Sequence, residues 1–319
     1  MGKKAGLMTA RKLRFTKDSN TERLLGSNMG MGTLDIVGEF RREIPFPDLS
    51  TVTWKEEEYI NVRSSQEKKT CWITGSALLS TGLFLLTDYN NNSVKLVDLT
   101  YRTVTSRLQL PGRSWDVCVL PGGQAAVTLP NNSMIQLMST TGGQLSCGKK
   151  IKMSSKCCGI AYYNNILYVS FISNPRIEAI TLDGHIISTF QKDDGKQLFQ
   201  SPHYLTVSAS SPPTLYVSGQ YQIHTVHQLS LDGKALREYS DKKLEYPKSV
   251  VAVGPGQLLV CGYGSHNVML LTEWDGKMAE ILGQKDVMTN PYYVSFCPHK
   301  LAIIVGMYKG DYLKVFKAN

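Results

Sequence analysis

Pro202-His203-Tyr204-Leu205-Thr206, Leu215-Tyr216-Val217-Ser218, Val226-His227-Gln228-Leu229, and then Asp232-Gly233 leading into Lys234–Tyr239 read as four short strands in succession. The second is almost continuously apolar and ends in a small residue, as a strand buried on both faces does. The third alternates, as a strand with one wetter face does. Asp-Gly ahead of the fourth supplies the positive φ that a tight hairpin needs. Together the four segments make one antiparallel unit.

Working outward, the unit recurs six times. Second strands of the same kind are Phe84–Thr87, Ala125–Thr128, Leu167–Ser170, Leu258–Cys261 and Ile303–Gly306. Third strands are Val94–Val97, Met134–Leu137, Ile177–Ile180, Val268–Leu271 and Leu313–Phe316. The hairpin signal returns as Asp183-Gly184 and Asp275-Gly276, with Gly142-Gly143 in its place in the second unit. Aligning the first strands on Ile73, Val117, Ile160, Leu205, Val250 and Val294 gives steps of 44, 43, 45, 45 and 44 residues. So regular a step with four strands per unit predicts an all-β fold, a six-bladed antiparallel β-propeller. A solenoid would not use four antiparallel strands per unit, and a sandwich would not keep one step across six units.

The sixth unit has three strands and lacks a fourth, which would leave an unpaired sheet edge. Ahead of the first unit, Glu58–Arg63 alternates and has no partner of its own. The expectation is that this N-terminal strand closes the last blade, dividing the chain into a tail and linker, 1–56, and a propeller, 57–319. Within the tail, a short helix near Thr21–Leu25 is expected.

Composition fits this reading. The chain has 319 residues, 42% of them hydrophobic and 19% charged, with 27 Gly and 16 Tyr. That is a turn-rich, strand-forming mixture with enough apolar mass for a core. The net charge is +9, and residues 1–17 hold Lys3, Lys4, Arg11, Lys12, Arg14 and Lys17 with no acid. The body is therefore close to neutral behind a basic, solvated tail. Seven cysteines without a CxxC pair sit mostly in apolar strands; they read as reduced, buried thiols and suggest a cytoplasmic location. No apolar run suits a signal peptide or a membrane span. The sequons at Asn91 and Asn131 then read as turns.

Residues just before the aligned positions face the axis: Trp72, Asp116, Gly159, Tyr204, Ser249 and Tyr293. A hard cation needs several oxygen ligands, and only Asp116 in this set is acidic. His224 and His227 lie on opposite strand faces and cannot share one ion. No nucleophile with a partnered base is visible. The expectation is a protein without catalytic residues, metal or cofactor, that is, not an enzyme. The candidates for binding are aromatic anchors on the loops, Tyr89, Trp115, Tyr263 and Tyr308, with Arg113, Tyr204 and Tyr292 beside them. The basic run Lys149, Lys150, Lys152 and Lys156 is a further candidate for phosphates. A protein partner is the first expectation and single-stranded RNA the alternative. A metal-dependent hydrolase or lactonase is the second alternative, and no membrane partner is expected.

Several strings go beyond generic blade chemistry. Val94-Lys95-Leu96-Val97-Asp98, Arg107-Leu108-Gln109-Leu110-Pro111-Gly112, Trp115-Asp116-Val117-Cys118, Gln124–Thr128 and the leader Phe46-Pro47-Asp48-Leu49-Ser50 resemble the NHL-type propeller at the C-terminal end of invertebrate tripartite-motif-like (TRIM-like) proteins. Gly159–Tyr162, Pro202–Leu205 and Gln257–Gly262 fit the same pattern over roughly residues 30–319. Members of that family carry a zinc-binding RING finger and B-boxes ahead of the propeller, and residues 1–70 here contain neither Cys nor His. The resemblance therefore implies a recognition propeller, for a protein substrate or for RNA, without the family's ubiquitin-ligase chemistry.

Overall fold

The structure, a computed structural model, describes residues 46–319 apart from 58, 81, 220–223 and 287. The basic tail and the expected helix near Thr21–Leu25 lie outside the described residues. Six antiparallel blade sheets follow one another along the chain, the first five each built from four consecutive strands, with a small two-stranded ribbon, Lys192–Asp193 and Lys196–Gln197, between the third and fourth. The first strands touch their neighbours in order, and the first strand of the sixth blade returns to that of the first. The result is a closed six-bladed β-propeller. The fourth blade shows the unit: Pro202–Val207, Thr214–Gly219, Thr225–Ser230 and Ala235–Ser240. Its last hairpin turns at Gly233, φ +95°, and the matching turn of the third blade at Gly184, φ +90°. Both angles lie where a Cβ would be strained.

The core lies between successive sheets rather than within any one of them. Leu85, Val94 and Leu96 of the first blade pack on Val117, Ala125 and Val127 of the second. Cys118, Ala126 and Ile135 of the second pack on Ile160, Val169 and Phe171 of the third. This is why the second strands are apolar on both faces. Of the seven thiols, Cys147 is exposed and the other six are buried. No described helix is long and apolar enough to cross a membrane.

The sixth sheet takes strands from both ends of the propeller. Trp54–Glu56 pairs antiparallel with Phe316–Ala318, and Ile60–Asn61 pairs with Tyr312–Leu313. The closing element is thus two short strands, and it begins ahead of the alternating run read from sequence. Ile60 and Val62 are fully buried among Phe84, Leu86 and Val97 of the first blade and Ile304 and Leu313 of the sixth. Leu49 of the leader is buried between the fifth and sixth blades, where its amide donates to Gln257 Oε1 at 2.8 Å.

One register differs from the repeat read in the sequence. The residue facing the second strand one place before its small terminal residue is Val117, Ile160, Leu205, Val250 and Val294 in five blades. In the first blade that place, opposite Leu86, belongs to Ser76 and not to Ile73. The first strand of that blade is set three residues further along the chain, so the step from Ser76 to Val117 is 41 residues; the bulge between Ile73 and Gly75 itself recurs in the third to sixth blades.

Candidate functional site: an aromatic cup at one mouth of the propeller

The small residues that end the second strands do more than allow close approach. Thr87 Oγ1 donates to the carbonyl of Trp115 in the next blade at 2.8 Å. Thr128 Oγ1 donates to the Cys158 carbonyl, and Ser218 Oγ to the Lys248 carbonyl. These three hydroxyls bolt the first, second and fourth blades to the first strand of the next, just where those strands begin. They fix Trp115 and Lys248 from behind.

The side chains held there converge. Trp72, Trp115, His203, Lys248 and Tyr292 come from the beginnings of first strands. Tyr89, Ile172, Tyr263 and Tyr308 stand two residues beyond the small residue that ends a second strand. Trp72 lies 4.7 Å from Tyr89, 5.1 Å from Tyr308 and 5.6 Å from Tyr292, ring centre to ring centre. Trp115 stacks on Tyr204 at 5.9 Å and meets Tyr89 edge-on at 5.7 Å. Tyr263 meets Tyr292 at 5.9 Å and Tyr308 at 5.8 Å. Such edge and offset contacts are the favoured geometries of aromatic pairs. Together these rings form the wall of a cavity of about 870 Å³.

All seven residues singled out from sequence as binding candidates meet in or beside this wall. Arg113 is exposed at its rim, its guanidinium 4.9 Å from the centre of the Tyr89 ring, with Nη1 donating to the phenol oxygen at 3.1 Å. Tyr204 is buried beneath, and burial pushes its phenol well up. Trp72, His203, Tyr246 and Lys248 line the same cavity and were not singled out. The Lys149–Lys156 run does not join them. It follows the exposed outer strand of the second blade, where Lys149 pairs with Asp183 at 2.5 Å.

Lys248 is the unusual member. Only 4% of the residue is exposed. Its ammonium lies 5.4 Å from the Tyr263 ring centre and 5.6 Å from that of Tyr292, within cation–π range. Among the described residues no carboxylate and no hydrogen-bond acceptor reaches it. Burial alone pushes its pKa down, to about 8. The indole N–H groups of Trp72 and Trp115, two walls of the cavity, are buried without an acceptor. No acidic residue among those described lines the cavity.

Asp116, the one acidic candidate facing the axis, is held by backbone. One carboxylate oxygen accepts from its neighbour Val117 N at 2.9 Å and the other from Ile160 N of the third blade at 3.0 Å. Burial raises its pKa to about 7 against those two bonds. It joins two blades beside the axial channel. Glu67, Cys71 and Asp88 form the cluster of metal-ligating groups found among the described residues. Lys95 already fills its centre. Its ammonium donates to Glu67 Oε2 at 2.7 Å, Asp88 Oδ2 at 2.8 Å and the Val62 carbonyl at 2.7 Å, with Cys71 Sγ at 3.2 Å. Burial pushes the Cys71 thiol up as well. The buried strand pair Cys157-Cys158 behaves likewise, the Cys157 thiol rising to about 12. Buried thiols so far from thiolate are poor nucleophiles.

No family model matches the chain, and no curated protein matches it. Solved structures do. Streptogramin B lyase superposes with a TM-score of 0.60 at 14% identity over 83% of this chain and 98% of that one. A protein of unknown function from Bacteroides thetaiotaomicron gives 0.66 at 13% identity over 85% and 74%. Catalytically inactive virginiamycin B lyase from Staphylococcus aureus with quinupristin gives 0.59 at 14% identity over 83% and 100%. The expectation that the chain is not an enzyme is corrected by these lyases. Chains that share this fold are lyases there, because chemistry resides in side chains grafted on a fold and not in the fold. At 13–14% identity the likeness shows the propeller fold alone, and the chain's own sheets number its blades: this chain is a six-bladed β-propeller, as the repeat predicted.

Proposed function

We propose that the chain recognises a protein partner by taking a segment of it into the aromatic cup. The carrying observation is one cluster of rings from five different blades, in which Trp115, Tyr263, Tyr292 and Tyr308 line the cavity and Tyr89 and Tyr204 pack against them. Its volume falls in the range of about 300–1,000 Å³ typical of sites for compact ligands. Clustered Trp, Tyr and Arg side chains are the groups that dominate binding energy at interfaces. The resemblance to TRIM-like propellers supports the same reading. Arg113 over Tyr89 and Lys309 over Tyr308, its ammonium 5.0 Å from the ring centre, would also suit phosphates beside stacked bases, which keeps single-stranded RNA as the second reading.

The test is a peptide-display selection on the full chain, run in parallel on Tyr263→Ala and Tyr308→Ala. Both rings are partly exposed, so their loss spares the core. Peptides enriched on the wild type and lost on both variants are the expected result. Enrichment indifferent to both substitutions places the partner elsewhere and defeats the reading. Binding of an oligonucleotide with a steep salt dependence, in place of any peptide, decides for RNA.

A further inference from the structure

The cup's polar inventory is one-sided. It offers the Lys248 ammonium, which opens onto the cavity with no acceptor among the described residues, and the indole N–H groups of Trp72 and Trp115, which are buried and equally unpartnered among them. Its rings present negative faces to the ammonium, and no carboxylate of the described residues lines it. A buried ammonium lacking a counter-ion is costly to a fold, since its desolvation goes uncompensated. A purely structural position would favour methionine or leucine. Lys95 and Lys314, the other buried lysines among the described residues, show the contrast: two carboxylates and a carbonyl surround the first, and Glu56 with the Asp286 carbonyl holds the second.

Resting on the cup as the recognition site, we infer that Lys248 is the counter-ion for a carboxylate on a flat, ring-bearing ligand, so that the cup selects an aromatic carboxylate. The rings of Tyr263, Tyr292 and Tyr308 would take the ligand's apolar body, and the ammonium its charge. A desolvated charge-assisted hydrogen bond of this kind discriminates strongly against a neutral isostere. The carboxylate can belong to a free small molecule or to the C-terminus of a peptide ending in an aromatic residue.

The experiment titrates the full chain with phenylacetate, phenylacetamide, phenethylammonium and phenyl phosphate, following tryptophan fluorescence from Trp72 and Trp115. The peptide Gly-Gly-Phe, as free acid and as amide, forms the second arm. Phenylacetate is expected to bind about tenfold more tightly than its amide, with the cation weakest. In Lys248→Met that preference should vanish while the amide still binds. The Lys248→Met chain should melt no lower than wild type, because a lone buried charge has been removed. A larger acid-to-amide ratio for the peptide than for phenylacetate assigns the carboxylate to a chain terminus, and the reverse to a free small molecule. Equal binding of acid and amide overturns the charge assignment and leaves the cup standing. Preference for phenyl phosphate overturns the carboxylate. A silent titration with every probe overturns both inferences, and a large fall in the melting point of Lys248→Met shows the residue to be structural.

Discussion

Replacing Lys95 with methionine isolates the most heavily buried charge in the molecule. The lysine side chain is 0% exposed and its partners Glu67 and Asp88 are 2% and 0% exposed. Lys95→Met keeps the length and the apolar stem but leaves two buried carboxylates facing each other. Glu67 retains Arg107 at 2.9 Å, and Asp88 retains the N–H of Trp72 at 3.1 Å and Asn91 Nδ2 at 2.8 Å. Breaking such a network at one partner costs about 3–5 kcal/mol, a large share of the ~5–15 kcal/mol that holds a domain. In a protein of this size that is a fall of about 10 °C in Tm. The pH dependence gives a sharper signature. Burial pushes the Asp88 carboxyl up, but Lys95, Asn91 and Trp72 together hold it below its ordinary 3.8. For a depressed carboxyl the stabilisation is present above 3.8 and is lost as pH falls through the folded value. Without Lys95, burial dominates and Asp88 takes up a proton more readily, so the deficit of Lys95→Met should be smaller at pH 5 than at pH 8. Adding Asp88→Asn should recover part of the loss at pH 8. Urea unfolding followed by fluorescence measures all of this. A deficit below about 1 kcal/mol, or one that does not change with pH, refutes the reasoning.

Two further expectations concern the ring. Deleting residues 54–62 removes both closing strands and the buried Ile60 and Val62, which contribute about 1.5–3 kcal/mol each. The truncated chain should lose at least that much stability in the same assay, and a melting curve like the wild type's would refute closure. Asp116, raised to about 7 from an ordinary 3.8, stays protonated in the folded chain over a window where the unfolded chain has released its proton. Stability from this group therefore falls as pH rises from about 4 to about 7. Asp116→Asn should flatten the decline in Tm between pH 5 and pH 8, and an unchanged slope would rule the group out.

Much of the architecture was legible because each blade repeats the same local demands. A doubly buried second strand, a small residue at its end and a glycine at positive φ recur at a nearly constant step. The outer strands of three blades begin within a residue or two of the Asp-Gly pairs that announced them. The register of the first blade was hidden because Ile73 and Ser76 both stand in a strand-forming run, and only the pairing of Ser76 with Leu86 shows which of them takes the aligned place. The candidate rings Tyr89, Trp115, Tyr204, Tyr263, Tyr292 and Tyr308 could be picked out as aromatics near blade mouths, but only their positions in space show that they form one wall. Lys248 and Lys95 escaped for the same reason. A lysine in a strand reads as pointing to water, and its burial depends on what neighbouring blades bring to it. The hydroxyls of Thr87, Thr128 and Ser218 read as merely small, since their acceptors lie about thirty residues away in the adjoining sheet.

The clasp of the sixth sheet also sets how the molecule responds to being pulled. Trp54 lies opposite Ala318, so a tether leaving residue 54 and another leaving residue 318 depart from the same end of one antiparallel pair. Tension between them loads the ladder rung by rung: Trp54–Ala318 parts first, then Lys55–Lys317, then Glu56–Phe316. Ladder bonds stand perpendicular to the strands, so they lie along such a load and separate one at a time instead of sharing it. Mechanical load on the two strands of the seam would therefore open the ring there before disturbing any other blade.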